Sequence, residues 1–413
     1  MSDLLKKLKD SGLILNKEQL IATRSEPRKM RLEDLYQGRW EYGLFGDVFI
    51  MNEIIPYGEK HGGIPLVKHL NTASYLEFEK KLSAEDIRVE NIAFIDIETS
   101  SLSFGAGSFV FLIGVSYFSE VGLESSLLLI DHPSAEKALL EKFNKDIEKF
   151  NIICTYNGKS FDVPFIRNRC AFHRVDNIID CKNHIDLLFY ARRMWKLRID
   201  SCKLSHVEET ILRLQRDAGE VPGWMVPQVF FDFLNEQDPH LLDGIISHNK
   251  VDVISLAVLF QHISRLLTTT DESGHLDVKD CFSLAKMHES NGRFIKAKHF
   301  YKIGLQANND KELMSHYCFR YGMLLKRTGE ISEAVQYWEE SAATGCLNAC
   351  IELSKYYEHT HKDYYQALKW ATKAQDLISS PNDVFNEKRW IPQLEHRVDR
   401  INRKIISHEK QKI

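Results

Sequence analysis

Two carboxylates two residues apart, at the end of an otherwise apolar run, are the first chemistry legible in this chain of 413 residues: Asp96 and Glu98 in IAFIDIE. In an extended strand residues i and i+2 share a face, so both acids project side by side. Like charges placed so repel, and taking them out of water is costly unless a cation neutralises them. A divalent metal is the economical partner; two acids fraying into solvent at a strand end is the plain alternative. A third acid, Asp162, stands in YNGKSFDVPFI, after a turn at Gly158 and just ahead of Pro164, where a helix opens. Attraction to a helix dipole would explain Asp162 alone, but not Asn157 and Phe161 before it. The last group is His248 and Asp252 in ISHNKVDVISLAVL, four residues apart on one helix face beside the stripe Ile246, Val251, Ile254, Leu256 and Leu259. Alone, such a pair reads as a solvated surface contact.

The elements that must position these groups follow from texture. IAFIDIE, FVFLIGVSYF and SSLLLI are consecutive β runs separated by Ser, Gly and polar turns. Residues 134–150 predict a helix capped by Ser134, NIICTYN a fourth strand, and the chain then reads as mostly helical to Leu267. Three strands, a crossover helix and a fourth strand make an α/β mixed sheet with flanking helices, in the order of an RNase H-like fold. We expect this domain over 89–268, behind an N-terminal extension (1–88) of one short helix and β segments with no legible role. The turn-rich TTTDESGHLD marks a boundary. Beyond it, over 278–413, three segments align on Gly292/Gly329/Lys362, Ala297/Ala334/Ala367 and Phe300/Tyr337/Trp370, at offsets of 37 and 33 residues. This is near the 34-residue tetratricopeptide period and predicts an all-α, tetratricopeptide-like repeat domain with a capping helix.

Taken together, DIETSSL (96–102), YNGKSFD (156–162) and HNKVD (248–252) resemble the three motifs of the DnaQ-like DEDD exonucleases. With the helical tail included, the chain resembles the bacterial YprB-like proteins. The resemblance implies a metal-dependent, 3′-to-5′ exonuclease in which Asp96, Glu98, Asp162 and Asp252 hold two ions. Hard carboxylate oxygens suit Mg²⁺ or Mn²⁺. It also implies that His248 acts as general base. Three residues separate His248 from Asp252, the spacing of the family's tyrosine branch, so the histidine occupies the tyrosine slot. Thr99 and Leu102 would contact the terminal nucleotide, Leu102 as an apolar wedge, although Ser100-Ser101 replace the usual Thr-Gly. Tyr156, Asn157 and Phe161 would line the cleft; a core role for Phe161 is equally open.

Charge bounds the partners. The net charge is −4, so a nucleic-acid site must be a local patch. Residues 159–216 hold twelve Lys and Arg against seven Asp and Glu, and ARRMWKLR sets Arg192 and Arg193 beside Trp195, able to hold phosphates and stack a base. The alternative is a solvated basic face with a buried Trp. The partner expected is single-stranded or terminal DNA or RNA, with a protein or peptide on the repeats. A nucleic-acid-binding adaptor with a vestigial site is the competing function. Eight cysteines without a C-x-x-C pair fit reduced thiols in a cytoplasmic protein. We expect no signal peptide and no membrane span. Neither G-x-S-x-G nor a P-loop occurs.

Overall fold

Seven strands pair into one mixed sheet. The structure is a computed structural model that describes residues 30–76, 78–79, 81–83, 87–101, 103, 105, 107–216, 221–269, 276–307, 310–378 and 390–410. Its strands are β1 (Arg39–Glu41), β2 (Val48–Pro56), β3 (Lys60–His61), β4 (Ile64–Pro65), β5 (Ile92–Thr99), β6 (Val110–Phe118), β7 (Gly122–Leu129), β8 (Ile152–Thr155) and β9 (Asn183–Asp186). The sheet order is β1-β2-β7-β6-β5-β8-β9, with β3-β4 a separate hairpin. β2, β7, β6 and β5 pair antiparallel, and β8 and β9 continue parallel to β5.

The expected mixed sheet is therefore present, with two differences. It reaches upstream of residue 88, because β2 pairs with β7 from Phe49↔Leu129 to Pro56↔Gly122. β9 also interrupts a stretch read as helical; its four residues are too few to show a period, and parallel pairing with β8 holds them. The helix predicted for the N-terminal residues lies outside those described.

The chain forms two compact units, Met1–Ala191 with Ser201–Thr268, and Arg192–Asp200 with Thr269–Ile413. The helices of the first are α1 (Leu32–Leu35), α2 (Ala73–Leu76), α3 (Glu136–Ile147), α4 (Asp162–His173), α5 (Leu187–Trp195, whose last turn is counted with the second unit), α6 (Leu204–Val207), α7 (Val226–Glu236) and α8 (Asp243–Thr268). Alternation along β5 separates its two faces. Ala93, Ile95 and Ile97 join one apolar cluster with Leu139, Phe143 and Ile147 of α3. Phe94 instead meets Phe260 of α8, ring centroids 5.5 Å apart, and Asp96 and Glu98 share its parity. The segment Pro239–Thr268 is long and apolar enough to cross a membrane, yet its most apolar window is 78% buried inside the protein, as suits a core helix.

The second unit stacks helix pairs: α9 (Val278–Ser290) with α10 (Phe294–Ala307), α11 (Lys311–Arg327) with α12 (Ile331–Ala343), and α13 (Leu347–His359) with α14 (Tyr364–Ile378), followed by α15 (Ile391–Lys410). The aligned positions behave alike where geometry demands it. Gly292, Gly329 and Lys362 take φ of 74°, 91° and 58°, so the third turn keeps its left-handed residue without a glycine. Ala297, Ala334 and Ala367 are fully buried. Of the aligned aromatics only Phe300 is buried; Tyr337 and Trp370 are half-exposed, and Trp338 fills the core beside Tyr337.

Candidate active site

A glycine lets α8 approach the acid pair. Gly114 of β6 lies opposite Asp96, and a Cβ there would stand 2.2 Å from Asn249 Oδ1. With no side chain in the way, Asn249 Nδ2 donates to Asp96 Oδ2 at 2.8 Å. Asp162 opens α4, and its carboxylate is held by its own amide and by that of Ile97, which lies between the two acids of β5. Asp252 comes from α8; it and Asp162 are buried, whereas Asp96 and Glu98 are half-buried.

Electrostatics bind the four into one unit. Burial pushes Asp96 well above the usual carboxylate range, and Asp252, Asp162 and Glu98 add to the push while Asn249 opposes it. Glu98 is raised in the same way by burial, then by Asp252 and Asp162, with Arg216 opposing. Burial also lifts Asp162 to about 7; its two amides oppose this, and Asp186 and Asp252 reinforce it. A cation bound among them would relieve this repulsion. Among the described residues no three His, Cys, Asp or Glu side chains are grouped closely enough to hold a metal ion as arranged.

A protein cation sits against the cluster. Arg216 Nη2 donates to Asp252 Oδ1, its Nε donates to Glu208 Oε2 at 2.5 Å, and its Nη1 lies 2.9 Å from His248 Nδ1. Arginine cannot accept, so Nδ1 of His248 is the acceptor, and the proton of the neutral ring lies on Nε2, 3.4 Å from Asp252 Oδ2. Glu208 is fully buried and is raised to about 7 by burial and by Asp252, with Arg216 and Ser255 opposing.

Residues 93–264, which carry all of these acids, match the model of the RNase_H superfamily. Over 337 residues the chain is 31% identical to the uncharacterized protein YprB of Bacillus subtilis (strain 168), spanning 79% of this chain and 78% of that one. The chain belongs to the YprB family and carries an RNase H superfamily domain. A family B DNA polymerase from the hyperthermophilic archaeon Pyrobaculum calidifontis overlaps 62% of this chain and 34% of its own, at TM-score 0.33 and 16% identity. That likeness is too slight to bear on function.

Within the RNase H domain the five motif residues come together, but several expected substrate contacts have other tasks. Thr99 is buried, its hydroxyl donating to the Ser101 carbonyl at 2.8 Å. Ser100, in place of the usual threonine, staples the loop by accepting from the Phe109 amide at 2.9 Å. Leu102 lies outside the described residues. The Tyr156 hydroxyl donates to the Cys202 carbonyl at 2.6 Å. Asn157 is exposed at φ 66°, a conformation asparagine tolerates. Phe161 packs on Phe165, centroids 5.6 Å apart, against the main apolar cluster, as its core reading required. Arg192 and Arg193 are exposed and counted with the second unit. Trp195 corrects the expectation of base stacking: at 0% exposure it offers no face, because it continues the buried stripe of Ala191 and Met194 along α5.

Four site residues escaped the sequence. Buried Asp186 accepts from the amides of Asn157 (2.8 Å), Lys159 (3.1 Å) and Leu188 (3.1 Å), ordering the YNGKSFD loop. It closes the strand NHID much as Asp96 stands in IAFIDIE, a signal that could have found it. Asn249 sits inside HNKVD. Glu208 and Arg216 belong to no motif; the π-helical turn Glu208–Leu212 and left-handed Arg213 return the chain so that they meet.

Proposed function

We propose that this chain is a metal-dependent exonuclease hydrolysing phosphodiester bonds of single-stranded or terminal nucleic acid. What carries the reading is the convergence of Asp96, Glu98, Asp162 and Asp252 from β5, the start of α4 and α8, near enough for Asp162 and Asp252 to repel the acid pair of β5. RNase H superfamily membership supports nuclease chemistry, and the 3′-to-5′ direction is that of the DEDD motifs the chain resembles. The donor set fits a hard cation, since it is all oxygen and repels itself. Asp96, Glu98, Asp162 and Asp252 would hold two Mg²⁺ or Mn²⁺ ions, which when bound neutralise the attacking and leaving oxygens of an in-line displacement.

The chain's own part is to hold these acids in place. Asn249 orients Asp96, the Ile97 amide orients Asp162, and Arg216 with His248 flanks Asp252. For His248 to take a proton from water, Arg216 must release its Nδ1. Turnover that survives His248→Ala would assign the histidine instead to holding Asp252.

The test incubates the purified protein with end-labelled single-stranded DNA and RNA in Mg²⁺, Mn²⁺ or EDTA, beside Asp96→Ala. Metal-dependent shortening from the 3′ end, lost in the variant, is expected. Binding without any product on either substrate would favour the adaptor.

A further inference from the structure

The terminal helix α15 gathers cations beyond what its neighbours neutralise. His396, Arg400, Lys404 and His408 recur every fourth residue, one stripe rising about 6 Å per step. The stripe borders a cavity of about 540 Å³, completed by Arg403, Ser407 and Tyr364 of α14, with no carboxylate in its wall. Behind it lies Glu358, whose side chain is fully buried. Its carboxylate accepts from Arg397 (3.1 Å), Arg400 (2.7 and 2.8 Å) and Lys404 (2.8 Å). Burial pushes Glu358 up, yet the bonds from Arg400 and Lys404 hold it at about 2. One carboxylate thus answers three permanent cations. Arg403 adds another: it is exposed, its Nε donating to the Asp399 carbonyl of its own helix at 3.3 Å. The helix's acids do not balance this charge within the cavity. None of Glu395, Asp399 and Glu409 lines the wall.

Unbalanced like charges around a cavity call for an anion, and their arrangement says which kind. Arg400, Arg403 and Lys404 put permanent charge on the wall, and the rings of His396 and His408 extend it along about 18 Å of helix, longer than one small anion can use and suited to a chain of phosphates. The wall also carries π surface. The rings of Tyr364 and His408 meet edge-on at 5.8 Å, and Lys404 Nζ lies 5.8 Å from the Tyr364 centroid. Cations interleaved with aromatic rings are how single strands are held without regard to sequence; an acidic peptide has no use for the rings. We propose that this face of α15 binds the phosphodiester backbone of a single-stranded nucleic acid. It stands apart from the nuclease reading, since a strand can be held here whether or not the carboxylate cluster cuts it.

The experiment measures fluorescence anisotropy of short labelled single-stranded DNA and RNA with the full chain in EDTA, across a salt series. Arg403→Glu and Arg403→Gln change an exposed side chain, and Lys369→Glu, exposed on α14 outside the wall, is the control. Arg403→Glu should weaken binding about five- to tenfold and lower the salt slope by about one, Arg403→Gln less, and Lys369→Glu hardly at all. Tyr364→Leu should weaken a normal strand more than an abasic one. The proposal is overturned if both Arg403 variants bind as the unaltered chain does. It is equally overturned if poly-glutamate displaces the strand at lower concentration than unlabelled oligonucleotide, which would make the face a protein-docking site.

Discussion

Replacing Arg216 by Met is the most direct probe of how the RNase H domain tolerates its acids. The guanidinium, 10% exposed, lies against Glu208 at 0% and Asp252 at 10%. Methionine keeps much of the volume and removes the charge, leaving two buried carboxylates without their cation. Breaking a buried ion pair from one side costs about 3–5 kcal/mol, a large share of an unfolding free energy of about 5–15 kcal/mol. The loss depends on pH with a definite sign. Glu208 already stands at about 7, raised by burial with Arg216 pulling it down, and without Arg216 it rises further. A carboxyl whose folded pKa exceeds its unfolded value binds the proton more tightly when folded, so stability falls as pH climbs from the unfolded pKa through the folded one. The deficit of Arg216→Met should therefore be small near about pH 5 and grow from about pH 7, where Glu208 of the unaltered chain ionises, toward about pH 9. Urea unfolding followed by circular dichroism in EDTA at both ends of this range measures it, with Arg216→Lys retaining part of the stability. A variant within about 0.5 kcal/mol of the unaltered chain at high pH, the range of ordinary surface changes, would refute the view that Arg216 neutralises this cluster.

Asp96→Asn removes a charge that burial and three acids disfavour, so in EDTA at alkaline pH it should raise the melting temperature while abolishing the further rise that Mn²⁺ gives the unaltered chain; scanning fluorimetry reads both. Gly114→Ala puts a Cβ 2.2 Å from Asn249 Oδ1 and should cost about 1–3 kcal/mol by overpacking. Because both changes break the same Asn249–Asp96 bond, the double variant with Asn249→Ala should lose less than the sum of the single losses. Glu358 sits at about 2 against an ordinary 4.5. That depression contributes stability that is present above the unfolded pKa and lost as pH falls through the folded one. Glu358→Gln should accordingly speed amide exchange in α15 at neutral pH and matter little in strong acid, as hydrogen exchange with mass spectrometry would show.

Local patterning determined much of this protein. The strands at 92–118 were legible as compact apolar runs bounded by polar turns, and the helix ahead of β8 by its regular apolar spacing. The four carboxylates were legible because each sits at a strand end, a helix start or a helix face, where spacing along the chain sets direction. Contacts across the chain decided the rest. Nothing in VFIMNEIIP states that it will pair with β7, and NHID is too short to declare itself a strand. Trp195 showed its cationic neighbours in sequence, whereas its burial follows from which face of α5 packs inward. Arg216 is the clearest case: its pairing with Glu208, His248 and Asp252 arises only after a π-turn and a left-handed residue fold the chain back on α8. Periodicity fixes which residues share a face within one element, but which charge meets which depends on how separate elements pack, and that exists only in the folded chain.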